Sequence, residues 1–348
     1  MHPAAAHEFF GKIGHTPICD AKFLINGRWR TVNLKLEGAN PMGSSKDRTA
    51  AALIADLARR RLLNPSSVVI ESTSGNLGIS LAFLCQQLGY RFKAVVDPKI
   101  TVEISRRMVE LGAELEKVYE PDVTGGYLLS RLERIRTLCA ASGKYVWTDQ
   151  YNNPANPEAH YCSTGPEIYE QMHGDVDAVF VAVSTGGTLA GIGRYFREVS
   201  PATQVIGVDV AGSVVFGTEP RARKLTGIGS SRPSSFLQPE LYDSHLIIED
   251  RDAFAMCRQM GQEGRLRLGG SSGAVLSACV IYLSNHFDIE RVVCVCPDWG
   301  HNYLSTIFSE DWLSANGFDP AYRSPFSEEI VIETLPALSP AAAMGALR

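Results

Sequence analysis

The chain reads as an α/β protein of two open, twisted lobes, each built on a mostly parallel sheet. Three observations predict this. Short apolar runs of strand length alternate with helical stretches along most of the sequence, the pattern of a parallel sheet covered on both faces. The 348 residues exceed what one compact core ordinarily holds. A turn-rich stretch, Tyr151-Asn152-Asn153-Pro154-Ala155-Asn156-Pro157, breaks the alternation near the middle. The expected organisation is a smaller lobe over residues 1–150, a second lobe over 151–333, and an Ala/Pro-rich, poorly ordered tail over 334–348.

In chain order, strand-like pieces at 22–25 and 29–37 precede a Gly/Ser turn and a helix over 49–63. Strand 68–71 leads into a turn at 72–76 and a helix over 77–88. Strand 92–96, helix 101–111, strand 114–118, helix 127–142 and strand 145–147 complete the first half. After the break come helix 158–172, strand 178–183, helix 189–199 and strand 204–210. The stretch 211–237 is too long for a mere connector and is expected to be functional. Helix 252–266, a turn at 269–273, helix 274–285 and strand 291–296 follow.

Composition excludes several classes. A formal net charge of −5 leaves no basic footprint for nucleic acid. No apolar run approaches the roughly 20 residues that cross a bilayer, and Met1-His2-Pro3-Ala4 lacks the basic and apolar regions of a signal peptide. The eight cysteines are scattered, mostly within apolar segments, as suits buried thiols in a reducing compartment; a cytoplasmic protein is expected. Neither they nor His15, His160, His173 and His301 show ligand spacing, so no metal is expected.

Four turns at strand–helix junctions, where ligands collect in such folds, carry the chemistry. In Pro41-Met42-Gly43-Ser44-Ser45-Lys46-Asp47-Arg48 a lysine stands at the start of a helix, where the dipole disfavours its positive charge. That suits a Schiff-base lysine, although a solvated lysine also fits the octamer taken alone. Ser184-Thr185-Gly186-Gly187-Thr188 packs three hydroxyls and two glycines into a helix start, more than turning requires and well suited to a phosphate. Thr73-Ser74-Gly75-Asn76 can hold a carboxylate, or simply cap the next helix. Gly269-Gly270-Ser271-Ser272-Gly273 can cap a helix or lend a hydroxyl to a ligand. A reactive lysine, a phosphate cup, a carboxylate cup and a further hydroxyl are together what pyridoxal 5'-phosphate requires.

These residues, with Asn153-Pro154-Ala155-Asn156-Pro157, Gly227-Ile228-Gly229 and Pro297-Asp298, resemble the cysteine synthase family, colinearly from about Ile13 to Leu304. The resemblance implies a fold-type II pyridoxal-phosphate enzyme of tryptophan synthase β-like architecture, usually a homodimer. It also implies a mobile first lobe, with about residues 13–36 crossing to the second. Lys46 is implied as the Schiff-base lysine and general base, Asn76 as the partner of the ring oxygen, and Ser184, Thr185, Gly186, Gly187 and Thr188 as the phosphate cup. Ser271 would meet the ring nitrogen. Thr73, Ser74, Gly75 and Asn76, helped by Gln150, would hold the substrate carboxylate. A serine cannot supply the charge that keeps the ring nitrogen protonated, so the electron sink is weaker and fits β-elimination better than transamination.

The sequence departs from plain cysteine synthases at Leu77, where threonine is usual, and in the segments 208–217 and 227–233. These departures resemble the branch that joins O-phospho-L-serine to L-glutamate through an aminoacrylate. Its product is N-(2-amino-2-carboxyethyl)-L-glutamate, on the way to the 2,3-diaminopropionate of siderophores and peptide antibiotics. Sulfide needs no cationic pocket, whereas phosphoserine and glutamate bring extra anionic groups. Ser230, Ser231 and Arg232 are expected to receive them, with Arg221, Arg223 and Lys224 adding charge and Tyr151 a further contact. The rivals are cysteine synthase proper, a serine/threonine dehydratase, and a non-catalytic binding protein on the same fold.

Overall fold

The structure is a computed structural model and describes residues 9–263 and 265–332. The first half forms a four-stranded sheet from β3 (Val68–Ser72), β4 (Arg91–Val96), β5 (Glu114–Lys117) and β6 (Tyr145–Trp147), in the order β5-β4-β3-β6. Every pairing in it is parallel. β3 is buried along its whole length, which explains why it reads as a continuous apolar run without alternation. α1 (Lys46–Arg59), α2 (Asn76–Leu88), α3 (Val102–Glu110) and α4 (Leu128–Ala141) accompany these strands.

The second sheet has seven strands in the order β11-β1-β2-β10-β7-β8-β9. β1 (Ile18–Ile25) and β2 (Arg28–Leu36), although early in the chain, belong to it: β2 pairs in parallel with β10 (Val292–Cys296). β7 (Ala178–Ala182), β8 (Gln204–Val210) and β9 (Ser244–Ile248) continue the parallel part, and β11 (Glu329–Ile332) closes the far edge antiparallel to β1. The helices are α5 (Ala155–Ala159), α6 (Gly165–Gln171), α7 (Gly187–Val199), α8 (Asp250–Gln262), α9 (Gly270–Leu283) and α10 (Glu310–Ala315). Each sheet has its own principal core. Leu53, Ile79, Phe92 and Met108 lie in one, and Phe23, Leu34, Phe180 and Cys294 in the other.

Several sequence expectations need correction. The helix expected over 158–172 is broken: a π-helical turn, His160–Thr164, lies between α5 and α6. α7 crowds this region, since a Cβ on Gly191 would run into Pro157 O and one on Gly165 would approach Tyr195 to 2.8 Å. α9 begins at Gly270 rather than 274, which places Ser271 and Ser272 in its first turn. β9 and β11 are found where no strand is expected. The stretch after β8 is indeed irregular, with one 3-10 turn at Pro239–Leu241 before β9. The tail expected over 334–348 lies outside the described residues.

Candidate active site

Lys46 opens α1, and its loop is sewn to the end of β10: Ser45 N donates to Pro297 O at 2.8 Å, and Ser44 bridges Asp298. The side chain points into a cavity of about 180 Å³ between the two sheets' strand ends. Burial pushes the Lys46 amine below its ordinary pKa, and the charges of Asp298 and Glu37 oppose that without reversing it. The amine is thus easier to deprotonate than a surface lysine.

Below Lys46 a smaller cup of about 30 Å³ is lined by Thr185, Gly186 and Thr188 and shares Ser184 and Lys46 with the main cavity. Gly186 adopts φ +90° at the start of α7, which a side chain would strain. A Cβ there would also strike Ser234 Oγ, and one on Gly187 would strike Asn156. Close packing thus requires glycine at both positions, and the cup beside them, with its hydroxyls at a helix N-terminus, has the donor set that suits a phosphate. Behind it, His160 Nε2 lies 3.2 Å from Thr188 Oγ1 and 3.3 Å from Thr49 Oγ1. Burial foremost, then the charges of Lys46 and Arg48, push this imidazole down to about 3, so it is neutral and serves to align the hydroxyls.

On the opposite wall the turn before α2 brings Thr73, Ser74, Gly75 and Asn76 to the cavity. Thr73 Oγ1 accepts from Gly78 N at 3.1 Å, so its hydroxyl caps α2. Ser74 Oγ donates to Asp97 Oδ2 at 2.9 Å and accepts from Arg131 Nη1 at 3.1 Å. Gln150 reaches the same wall; its Nε2 donates to Ser72 O at 2.9 Å and its N to Glu71 Oε2 at 3.0 Å. Ser271 and Tyr151 complete the lining, both buried, and Ser184 Oγ donates to Gly229 O at 3.1 Å. Ser230 lines the cavity as well, with its Oγ accepting from Arg232 N at 3.1 Å.

Gly187 and Lys224 are absent from the two cavity linings, and Arg232 is a further expected site residue that the structure does not bring in. Its guanidinium turns outward to Asn152 Oδ1 at 3.3 Å and lies over the Tyr151 ring, and it is absent from the cavity wall. The positive wall is formed instead by Arg131, Lys99, Arg221 and Arg223. Arg131 is one of three arginines on α4, and sequence alone does not separate them; Arg134 and Arg136 turn to Glu116 and Glu133. Two of the five guanidinium donors of Arg131 face protein acceptors, Ser74 Oγ and, at 3.3 Å without hydrogen-bond geometry, Asp97 Oδ2. Asp298 and Asn302 were also missed as neighbours of Asn76. The dipeptide Pro297-Asp298 was the available signal, but it carried no role.

A buried lysine whose amine is easier to deprotonate than usual, beside a cup of hydroxyl and backbone donors at the carboxyl ends of parallel strands, defines an enzyme that works through a bound aldehyde cofactor. The comparison with known proteins agrees. The family model described as "Pyridoxal-phosphate dependent enzyme" matches residues 9–298, and the chain belongs to that family. The N-(2-amino-2-carboxyethyl)-L-glutamate synthase of Ralstonia nicotianae is 40% identical over 329 residues, 92% of this chain and 97% of the relative. The enzyme of the same name from Cupriavidus metallidurans is 39% identical over 306 residues, 87% and 89% of the two chains. Among solved structures, a hydrogen sulfide-producing enzyme from Fusobacterium nucleatum superposes with a TM-score of 0.78 at 30% identity, covering 85% of this chain and 99% of that one.

Proposed function

We propose that the protein joins O-phospho-L-serine to L-glutamate, giving N-(2-amino-2-carboxyethyl)-L-glutamate and phosphate, for a pathway to 2,3-diaminopropionate. The observation that carries this reading is the cationic wall: Arg131 presents unused donors beside the carboxylate cup, with Lys99 and Arg223 around it, while Arg221 at the rim is paired with Glu249. Two substrates with phosphate and dicarboxylate groups need such a wall, and sulfide does not. The relatives of about 40% identity carry the name of this activity.

Pyridoxal phosphate, when bound, supplies an aldehyde that takes the substrate amine and a ring that draws electrons from Cα. Lys46 would hold the aldehyde, residues Ser184 to Thr188 the phosphate, Ser271 the ring nitrogen and Asn76 the ring oxygen. The cup lined by Ser184, Thr185, Gly186 and Thr188 offers hydroxyl and backbone donors suited to that phosphate. Thr73 through its free O–H, and Ser74 and Gly75 through backbone donors because the Ser74 hydroxyl already donates to Asp97, would bind the substrate carboxylate with Gln150. Lys46, released when the substrate amine takes its place on the aldehyde, would take the Cα proton as general base. The Cβ–O bond breaks and phosphate leaves with the electron pair, facing Arg131. The glutamate nitrogen forms the new C–N bond at the same carbon and loses a proton to solvent, and Lys46 returns a proton to Cα. Arg131, Arg223, Ser230 and Tyr151 would orient the second substrate.

The same reading makes the protein a cytoplasmic homodimer; none of its eight cysteines is in a disulfide, and six are buried. Sedimentation would test the dimer. The decisive test of the function is a sequential mix. O-phospho-L-serine should release phosphate and change the visible absorbance of the holoenzyme, and glutamate should restore it. Restoration by sulfide and not by glutamate would favour cysteine synthase, and steady release of pyruvate without a second substrate would favour a dehydratase.

A further inference from the structure

Three of the four ligand turns converge on one residue that the function above does not use, two on its backbone and one on its side chain. Asp298, at the end of β10, is 1% exposed. Its backbone bridges Ser44 beside Lys46, and its O accepts from Gly269 N at 3.1 Å beside Ser271. Its Oδ2 accepts from Asn76 Nδ2 at 2.6 Å and from Tyr303 Oη at 2.6 Å. Asn302 Nδ2 donates to Asn76 Oδ1 at 2.9 Å. Asp298 Oδ1 has no hydrogen-bond partner, and a Cβ on Gly269 would strike it, so the carboxylate cannot shift toward that turn.

This arrangement decides which way the Asn76 amide faces. A flipped amide would set Oδ1 against the Asp298 carboxylate and Nδ2 against the Asn302 amide nitrogen. That trades two hydrogen bonds for an acceptor–acceptor and a donor–donor contact, so the flipped state is strongly disfavoured. With Nδ2 held toward Asp298 and within reach of Tyr303, the amide turns its N–H groups rather than its carbonyl oxygen to that side of the cavity. We infer that Asp298, clamped by Tyr303 and aided by Asn302, is a positioning residue that locks Asn76 as a hydrogen-bond donor toward the cofactor ring oxygen. The inference rests on the reading of Asn76 as the ring-oxygen partner. Asp298 touches neither substrate nor cofactor in this role.

The test is a double-mutant cycle on the holoenzyme, read by the position of the cofactor's visible band and by pyridoxal-phosphate affinity. Asn76→Ala should shift the band and weaken cofactor binding about tenfold, the loss of one hydrogen bond to a charged oxygen. Asp298→Ala should reproduce most of that shift, and Asp298→Ala in the Asn76→Ala background should add almost nothing. Asn302→Ala, which leaves Asp298 in place, should give a smaller shift in the same direction, and it stands in if Asp298→Ala does not fold. Tyr303→Phe should be milder still. Additive effects of Asp298 and Asn76, or an unmoved band in both Asp298→Ala and Asn302→Ala, overturn the inference. A wild-type band that Asn76→Ala leaves unmoved would instead overturn the underlying reading of Asn76.

Discussion

Two polar clusters lie on either side of α1, and they differ in how far they satisfy themselves. Behind the helix, Arg48 donates through Nε to Glu37 Oε2 at 2.7 Å and through Nη1 to Glu167 Oε1 at 2.6 Å. Lys35 Nζ closes the set on Glu167 Oε2 at 2.7 Å and Thr16 O at 2.6 Å. In front of the helix, the cavity wall contains Ser72 Oγ and Asp298 Oδ1 with no protein partner, and Arg131 with donors to spare. The first cluster is buried and closed, so it holds the Lys46 loop to β2 and α6. The second is buried and open toward the cavity, where a ligand or water can complete it. Charge density alone does not separate structure from function here; completeness does.

The largest effect that sharpens this contrast belongs to the open side. Lys46→Ala should lower turnover by about 10²–10⁴-fold, the range for loss of a general base, and abolish the visible band, while thermal stability barely changes. On the closed side the pattern should invert. Glu37→Gln leaves Arg48 buried with one partner fewer and should cost about 3–5 kcal/mol of stability at neutral pH, measured by urea unfolding. Glu37 is held at about 2, below its ordinary 4.5; burial raises it, but the Arg48 charge and hydrogen bond outweigh that. Its contribution is therefore full above pH 4.5 and lost as pH falls toward 2, so the gap between wild type and Glu37→Gln should close across that window. A gap that stays constant would break the account of the closed cluster.

Arg131→Ala should raise KM for the anionic substrates about tenfold, one charge-assisted hydrogen bond, with the melting temperature unchanged. A melting temperature that falls while KM holds would move Arg131 into the closed class. The smallest effect is expected at Arg232→Ala. Its guanidinium is tied to Asn152 and stands off the cavity wall, so kcat/KM should change less than about twofold, the scale of an exposed contact.

The parts legible in the sequence are the local ones. Lys46, the Ser184–Thr188 cup, the Thr73–Asn76 turn and Ser271 each sit in a contiguous turn, where strand, glycine and hydroxyl follow one another, and the structure brings all four turns to one cavity. The parallel sheets were legible too, because β3, β7 and β10 are short apolar runs between helices. Arg131 and Asp298 were not, since the direction of a helical arginine or of a strand-end carboxylate depends on distant packing. Arg232 illustrates the same limit in reverse: a basic residue in a long loop carries no local mark of which way it points. β11 went unseen because its register is set by β1, about 300 residues earlier, and not by its own four residues.

The central claim is that the open cluster receives an anionic amine and not sulfide. The most direct measurement is a competition: holoenzyme with O-phospho-L-serine and equal glutamate and sulfide, the products identified by mass spectrometry. The account predicts N-(2-amino-2-carboxyethyl)-L-glutamate as the main product, formed one for one with phosphate. Cysteine as the main product would contradict it.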